Sequence, residues 1–303
     1  MSCLLVTGGA GFIGSHLADA LLAQGHRVRI LDDFSSGQWR NVPSGTELIR
    51  GDVADEATVA AALADADGCF HLAAIASVER GNNEWLAAHR VNLTGTITVF
   101  EAARRRGVPV VYASSAAVFG DNPEPPFAED AALRPLSAYG ADKLGCELHA
   151  RAGGRVHGLR TAGLRFFNVY GPRQDPHSPY SGVISIFGGR LRRGLPLIVF
   201  GDGEQVRDFV YVADVVQALL AALDAASAEA PVFNICTGRP TSVRALAAAM
   251  GAVLGIAPDL RFAPPRPGDI RASLGDPTRA AASLGWEART ALADGLRATL
   301  AAL

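Results

Sequence analysis

The feature that most constrains the fold is a glycine-rich turn close to the N-terminus. Gly8, Gly11 and Gly14 are spaced three residues apart, directly after a short apolar run at residues 4–7 and before an Ala- and Leu-rich stretch at residues 15–24. Glycine permits a tight strand-to-helix turn and lets the backbone approach a phosphate, which the helix N-terminus then attracts. A turn without a ligand is the alternative, but a glycine turn after the first strand of a β-α-β unit indicates a dinucleotide site.

Short β-branched runs alternate with helical stretches through the first half of the chain. This alternation favours an α/β fold, a Rossmann-type doubly wound parallel sheet with helices on both faces. Strands are predicted at residues 4–7, 27–31, 47–50, 68–72, 109–113 and 158–165, and helices at residues 15–24, 57–64, 84–106 and 139–150.

The pattern loosens after about residue 170. Residues 171–181 and 264–270 are predicted loops, rich in Pro, Gly and polar residues. Helices are predicted at residues 185–193, 212–225 and 243–254, and strands at residues 197–200 and 232–235. We therefore expect a Rossmann domain over residues 1–170 and a smaller C-terminal α/β lobe, mainly substrate-binding, over residues 171–303, with the chain interleaved between the two lobes.

Composition excludes several classes of protein. The chain has 303 residues, a hydrophobic share of 49% and a net charge of −2, so the charge balance favours neither nucleic acid nor an anionic membrane as a partner. The N-terminal apolar run is too short for a signal peptide, and no stretch approaches the roughly 18 to 20 apolar residues of a membrane span. We expect a cytoplasmic protein without a metal site, because its histidines are scattered and Cys3, Cys69, Cys146 and Cys236 lack metal or redox spacing.

Two aspartates end the second and third predicted strands. Asp32 lies about 20 residues past the glycines, where a carboxylate suits the free ribose hydroxyls of NAD and would repel the 2′-phosphate of NADP. It could instead cap a turn with Asp33 and Ser35. Arg40 is close enough in the sequence to Asp32 that NADP remains an alternative cofactor. Asp52 could bind an adenine amino group or cap the next helix, and the sequence favours neither.

Tyr139 and Lys143 lie four residues apart in a predicted helix, so the phenol and the ammonium can point into one pocket. A free tyrosine has a pKa of about 10, and a nearby cation lowers that pKa by favouring the phenolate. The same spacing occurs by chance in many helices. Ser115 follows a predicted buried strand and could be either a helix cap or a site residue.

Together these motifs resemble the extended short-chain dehydrogenase/reductase family, and within it the nucleotide-sugar epimerases, especially the UDP-hexose 4-epimerases. The resemblance runs through nearly the whole chain, in motifs at residues 7–14, 72–74, 91–92, 114–115, 139–143, 165–168, 201–208 and 266–269.

The resemblance implies NAD as the cofactor and a UDP-sugar as the substrate. It implies Ser115, Tyr139 and Lys143 as the catalytic residues. The implied cofactor-binding residues are Gly8, Gly11, Phe12, Ile13, Gly14, Asp32, Asp33, Phe34, Asp52, Val53, Leu72, Ala73, Ala74, Asn92, Tyr139, Lys143 and Phe167. The implied substrate-binding residues are Ser115, Tyr139, Asn168, Val199, Phe200, Arg207, Arg266, Asp269 and Ser273. Arg207 and Arg266 would grip the diphosphate, in keeping with the bidentate bonds that guanidinium groups form.

The implied reaction is redox epimerisation at carbon 4 of the sugar, with Tyr139 as the acid/base and a 4-keto sugar that rotates before reduction. Ala116 and Ala117 stand where the related 4,6-dehydratases carry an acidic pair, so dehydration is disfavoured. Ala76 replaces a lysine of some epimerases, which predicts weaker cofactor retention. Ser273 replaces a bulky tyrosine, and it either leaves room for a 2-acetamido group or is only a small surface residue. The loop at residues 173–180 also resembles that of members that accept N-acetylated sugars.

Two other functions remain as alternatives. The first is a nucleotide-sugar reductase, or another epimerase or dehydratase, acting on a GDP- or dTDP-sugar. The second is an NAD-sensing Rossmann regulator, which should lack a working Ser115, Tyr139 and Lys143. The resemblance also implies a homodimer through a bundle formed by the helix predicted at residues 84–106 and the helix that starts near Tyr139.

Overall fold

The computed structural model describes residues 1–175, 182–265 and 270–303. Its main element is a parallel seven-stranded sheet with the strand order β10-β6-β5-β4-β1-β2-β3. The strands are β1 (Cys3–Thr7), β2 (Arg27–Asp32), β3 (Glu47–Arg50), β4 (Gly68–His71), β5 (Val110–Ser115), β6 (Thr161–Phe166) and β10 (Val232–Ile235). This order is that of a doubly wound Rossmann sheet, so the predicted fold class is confirmed.

Helices cover both faces of this sheet. On one face, α1 (Phe12–Ala23), α8 (Val212–Ala225) and α10 (Thr278–Leu284) pack on a core that includes Leu17, Ile30 and Phe70. On the other face, α2 (Glu56–Ala62), α5 (Gly95–Arg106) and α6 (Ala138–His157) pack on a core that includes Leu5, Phe100 and Tyr112. Both faces of the strands are therefore apolar, as the sequence pattern predicts.

The helix predicted over residues 84–106 is not uniform. The segment is divided into α4 (Trp85–His89), a π-helical stretch at Arg90–Thr94, and α5. A further short helix, α3 (Val78–Asn83), precedes it. A π-helical stretch widens the backbone locally and is frequent at functional sites. Here it carries Asn92, which is fully buried.

A smaller lobe follows β6. A second sheet has the order β11-β9-β13 with β7 also paired to β9, and a two-stranded sheet joins β12 to β8. Its strands are β7 (Asn168–Tyr170), β8 (Leu197–Phe200), β9 (Val206–Tyr211), β11 (Pro240–Ser242), β12 (Leu260–Ala263) and β13 (Ala272–Ser273). A separate core, which includes Phe187, Leu246 and Leu296, joins the helices α7 (Val183–Arg192), α9 (Val243–Leu254) and α11 (Leu292–Ala301).

The chain returns to the first sheet after entering the second lobe, since β10 pairs in parallel with β6. Helix α8, which precedes β10, lies against α1. None of the helices in the described ranges is long and apolar enough to cross a membrane.

Candidate active site

The glycine turn has the geometry of an anion cradle. Gly8 has a φ of +70°, and a side chain there would place its Cβ 2.7 Å from the backbone nitrogen of Ala73. A Cβ at Gly14 would collide with the carbonyl oxygen of Gly8. Helix α1 begins at Phe12 with Gly11 as its N-cap and no capping side chain, so Phe12 and Ile13 form an N-terminus whose N–H groups can meet a diphosphate.

Asp32 ends β2 directly beside this turn. Its carboxylate accepts hydrogen bonds from the backbone N–H of Ala10 at 3.0 Å and of Phe34 at 2.9 Å. Burial raises the pKa of this carboxyl group. The turn with Ser35 is capped by Asp33, whose Oδ1 accepts from both the N–H and the hydroxyl of Ser35. The turn-capping role that was the alternative for Asp32 is therefore shared by Asp32 and Asp33. Asp32 also links the glycine turn to the end of β2.

Phe34 begins a segment that folds back over the glycine turn. Its φ is +61°, and its ring stacks on that of Trp39 with 4.1 Å between the centroids. Arg40 lies next to Trp39 on a short 3-10 turn at Trp39–Asn41, and both of these side chains are exposed. Trp39 is 61% exposed and carried no signal in the sequence analysis, because nothing in the sequence places it against Phe34.

Asp52 and Val53 follow β3. Asp52 accepts a hydrogen bond from the N–H of Ala54 at 2.8 Å and forms an ion pair with Arg90 at 2.7 Å. The N-cap of α2 is Asp55, which accepts from Thr58 at 2.7 Å, so Asp52 is not the helix cap. Val53 is buried in the sheet core.

The segment after β4 forms a wall beside the glycine turn. The N–H group of Ala73 donates to the hydroxyl oxygen of Thr7 at 3.2 Å, and the N–H group of Leu72 is shared between that oxygen at 3.2 Å and the Thr7 carbonyl at 3.1 Å. Asn92 holds the end of the segment at Ile75 through its side-chain amide. The amide oxygen accepts from the N–H of Ile75 at 2.8 Å, and the amide nitrogen donates to the carbonyl of Ile75 at 3.2 Å. Residues 72–74, including Ala74, are thus fixed at both ends, and we refer to them as the β4 wall.

The three catalytic candidates meet at the carboxyl end of β5. Ser115 is the last residue of that strand, and its Oγ also accepts from the N–H of Ala117 at 3.1 Å as the cap of a 3-10 turn. Helix α6 begins at Ala138 because Ser137 caps it through a bond from Gly140. The Lys143 Nζ donates to the carbonyl of Ala113, also on β5, at 2.8 Å, and lies 5.8 Å from the centroid of the Tyr139 ring.

Burial strengthens the interaction between these groups. Tyr139 is 9% exposed and Lys143 is 3% exposed. Charges interact more strongly away from bulk water, so the Lys143 ammonium group acts strongly on the Tyr139 ring, 5.8 Å from its centroid. A tyrosine hydroxyl held in this way can serve as a general acid or base.

A buried ion pair that the sequence analysis missed supports β5 and β6 beneath Ser115. The guanidinium of Arg165 donates to both carboxylate oxygens of Glu147 at 2.8 and 2.9 Å. Glu147 also accepts from the hydroxyl of Ser114 at 2.5 Å. Ser114 and Arg165 are register partners on adjacent strands, and this neighbourhood depends on the strand order.

The substrate-binding candidates lie mainly in the second lobe. Asn168 begins β7, and Phe167 immediately before it is buried. Arg207 on β9 donates to the carbonyls of Val206 and Ile270 at 2.9 Å each, and Ser273 on β13 is its register partner. Three parts of the predicted site lie outside the described residues. They are Arg266, Asp269 and residues 176–180 of the loop that resembles that of members accepting N-acetylated sugars.

Val199 lies in the apolar core of the second lobe. It is 1% exposed there. The neighbouring Phe200 is partly exposed at the end of β8. The alternation of side chains along a strand places Val199 inward and Phe200 on the other face.

No group of three or more His, Cys, Asp or Glu residues suited to a metal ion occurs in the part of the chain that the structure describes.

Comparisons with known proteins identify the family of this chain. A family model described as the NAD dependent epimerase/dehydratase family matches residues 4–236. A UDP-glucose 4-epimerase of Mycolicibacterium smegmatis is 42% identical over 305 aligned positions, which cover 98% of this chain and 96% of that protein.

Two solved structures are similar over nearly the whole chain. One is the UDP-glucose 4-epimerase of Thermotoga maritima with UDP-glucose, at 38% identity and a TM-score of 0.95, covering 99% of this chain and 98% of that one. The other is the UDP-N-acetylglucosamine 4-epimerase of Methanobrevibacter ruminantium in complex with UDP-N-acetylmuramic acid. It has 35% identity and a TM-score of 0.94, and the match covers 99% of this chain and 97% of that one.

Proposed function

Because this chain belongs to the NAD dependent epimerase/dehydratase family, we propose that it is an NAD-dependent UDP-hexose 4-epimerase that interconverts UDP-glucose and UDP-galactose through a transient 4-keto sugar. The observation that carries this proposal is the burial of Tyr139 and Lys143 together at the carboxyl end of β5, the strand that ends at Ser115. Ligands of open parallel sheets bind at this end of the strands.

The residues present fit a dinucleotide. The Gly8 and Gly14 positions leave no room for a side chain, and the free N-terminus of α1 suits a diphosphate. We assign the carboxylate of Asp32 to the adenosine ribose, the β4 wall to the flank of the cofactor, and Lys143 to the second ribose. The bound cofactor would supply reversible hydride transfer at carbon 4 of the sugar.

Tyr139 acts as the acid/base in this mechanism. As a phenolate it takes the proton from the 4-hydroxyl of the sugar, and as a phenol it returns the proton when the keto group is reduced. The bond from the Lys143 Nζ to the carbonyl of Ala113 fixes the ammonium group near the Tyr139 ring. Ser115 orients the hydroxyl or relays its proton. Arg207, with Arg266, holds the diphosphate while the hexose turns to present its other face.

The absence of an acid after Ser115 separates epimerisation from dehydration. Ala116 and Ala117 form the 3-10 turn that Ser115 caps, and neither can transfer a proton.

A reductase would consume the reduced nicotinamide stoichiometrically. Incubation of the purified enzyme with UDP-galactose should give UDP-glucose with no net change of absorbance at 340 nm. Net oxidation of added NADH, or no product, would contradict the proposal.

We also propose that 2-acetamido sugars are substrates. Ser273 is 5% exposed, and its small side chain is the register partner of Arg207. The relative from Methanobrevibacter ruminantium, named for an N-acetylated sugar, has the same fold over 99% of this chain. A UDP-sugar panel that includes UDP-N-acetylglucosamine tests this extension.

We further propose that the enzyme is a cytoplasmic homodimer that pairs through α4 to α6. Large apolar side chains of this region are exposed, among them Trp85 at 68%, Leu86 at 82% and Leu148 at 55%. Exposed apolar patches of this kind mark association surfaces. Light scattering should give twice the chain mass, and Leu148→Glu should reduce the measured mass.

We also propose that residues 1–170 form the cofactor domain and residues 171–303 the mainly substrate-binding lobe.

A further inference from the structure

His71 is a buried histidine that the proposed mechanism does not use. It is the last residue of β4, it is 3% exposed, and it immediately precedes the β4 wall. Both ring nitrogens have partners. Nδ1 lies 2.8 Å from the hydroxyl oxygen of Thr7 at the end of β1, and Nε2 lies 3.0 Å from the hydroxyl oxygen of Thr96 on α5.

The available protons assign one tautomer to this ring. The Thr96 hydroxyl donates its only proton to the carbonyl of Asn92 at 2.6 Å, so its oxygen can only accept from His71. Nε2 therefore carries the hydrogen, and in a neutral ring Nδ1 is then an acceptor. The Thr7 hydroxyl fills that acceptor with its own proton. All three side chains form one directed chain of hydrogen bonds.

A second proton on His71 would break this chain. Nδ1–H would face a Thr7 oxygen that already accepts from the N–H groups of Leu72 and Ala73, and the Thr7 proton would lose its acceptor. Burial and, secondarily, the positive charge of Lys143 lower the pKa of His71 to about 3. The ring is therefore neutral wherever the enzyme is folded near neutral pH.

The chain of bonds reaches the cofactor site through Thr7. Donation to His71 fixes the rotation of the Thr7 hydroxyl, and this points its lone pairs at the N–H groups of Leu72 and Ala73. Ala73 lies against the glycine turn so closely that a Cβ at Gly8 would be 2.7 Å from its nitrogen. A small shift of the β4 wall thus changes the gap between the wall and the glycine cradle.

We infer that His71 is a positioning residue for the cofactor site: as the neutral Nε2–H tautomer, it locks the Thr7 hydroxyl and so holds the β4 wall against the glycine turn. This inference rests on the proposed function for the identity of the cofactor. No direct contact between His71 and ligand or reacting atoms is required.

The test is a titration of NAD into nucleotide-free protein by calorimetry, with UDP-galactose kinetics measured alongside. His71→Leu removes both hydrogen bonds at similar volume and should raise the NAD dissociation constant by about tenfold or more, because buried partners are left unpaired. His71→Gln restores one donor and one acceptor and should stay within about threefold of wild type. The KM for UDP-galactose at saturating NAD should not change in either variant.

Tyr112→Phe is the matched control. Tyr112 lies on β5 as the register partner of His71, and its buried hydroxyl has no hydrogen-bond partner among the residues that the structure describes. Its removal should leave NAD affinity unchanged. An unchanged NAD dissociation constant in His71→Leu would overturn the inference. So would equal losses of NAD and UDP-galactose affinity in the Leu and Gln variants, since these would indicate a general structural role.

Thr96→Val keeps the test decisive if His71→Leu does not fold. It removes the acceptor of Nε2–H from a helix on the far side of His71 and should raise the NAD dissociation constant severalfold. Thr98→Val, at a half-buried position of α5 whose hydroxyl bonds only the carbonyl of Thr94 among the described residues, should not. Equal affinities in the two threonine variants would overturn the inference. Wild-type protein that binds NAD without epimerising UDP-galactose would contradict the proposed function alone, because the titrations read cofactor binding directly.

Discussion

Lys143 and Ala113 are joined by a hydrogen bond of 2.8 Å, in which the Nζ atom on α6 donates to a carbonyl oxygen on β5. This bond connects the helix that carries Tyr139 to the strand that ends at Ser115. It fixes the ammonium group 5.8 Å from the centroid of the Tyr139 ring. Helix and strand thus position the three catalytic candidates relative to one another through a backbone atom.

Tyr139→Phe should lower kcat for UDP-galactose by about 10²- to 10⁴-fold, the range that general acid–base catalysis supplies. The substitution removes only the hydroxyl, so the melting temperature should stay close to wild type. Tyr112→Phe is the control, because it deletes a buried hydroxyl away from the site. Turnover of Tyr139→Phe at the wild-type rate would exclude this mechanism.

Gly14→Ala should raise the NAD dissociation constant by about tenfold or more, since overpacking costs about 1–3 kcal/mol and the new Cβ would collide with the Gly8 carbonyl. Calorimetric titration measures the effect. Gly153→Ala on α6 is the control, because the nearest atoms to its Cβ would belong to the flexible side chain of Leu159, at 3.1 Å and beyond. Equal NAD affinity in the two variants would show that the turn does not hold the dinucleotide.

Glu147→Leu should lower the free energy of unfolding by about 3–5 kcal/mol, because it leaves the Arg165 guanidinium buried without its carboxylate. Urea titration gives this value. Asp294→Ala breaks an exposed pair with Arg297 and should cost about 0–1 kcal/mol. A similar small loss in both variants would mean that other groups, such as the Glu129 carbonyl, satisfy Arg165.

Acid should destabilise the fold partly through His71. Its pKa is about 3 when folded and about 6.5 when unfolded, so between these values the unfolded chain binds the proton and the folded chain does not. The contribution of the neutral ring to the free energy of unfolding is complete above pH 6.5. As the pH falls below this value, the contribution decreases by at most about 1.4 kcal/mol per pH unit. His71→Gln should therefore show a shallower fall in the free energy of unfolding between pH 6 and 4, measured by urea titration. Parallel curves would contradict the shifted pKa.

Ser273→Tyr should reduce turnover of UDP-N-acetylglucosamine by about tenfold or more and spare UDP-glucose, because the ring would occupy the space that a 2-acetamido group needs. Steady-state kinetics on both sugars decide this. Ser273→Ala preserves the small volume and should accept both. Unchanged preference in Ser273→Tyr would mean that this position does not face the sugar.

The sequence alone determined the features that depend on local pattern. The glycine spacing before α1, the aspartate at the end of β2 and the helical spacing of Tyr139 and Lys143 each require only neighbouring residues, and the parallel sheet follows from alternation. Most strand and helix positions in the first half agree with the structure for the same reason. The strands β7, β9, β11, β12 and β13 were missed, since these strands are stabilised by partners far along the chain.

Tertiary structure decided which distant polar groups meet. Ser114, Glu147 and Arg165 form one buried cluster because β5 and β6 are adjacent and α6 crosses them. His71 meets Thr7 and Thr96 because β4 lies beside β1 and beneath α5. Strand order sets these contacts, and strand order is decided by the packing of the whole chain. In the sequence, a histidine within an apolar run such as that of His71 indicates only a core residue. The fold shows that its ring has two fixed hydrogen-bond partners.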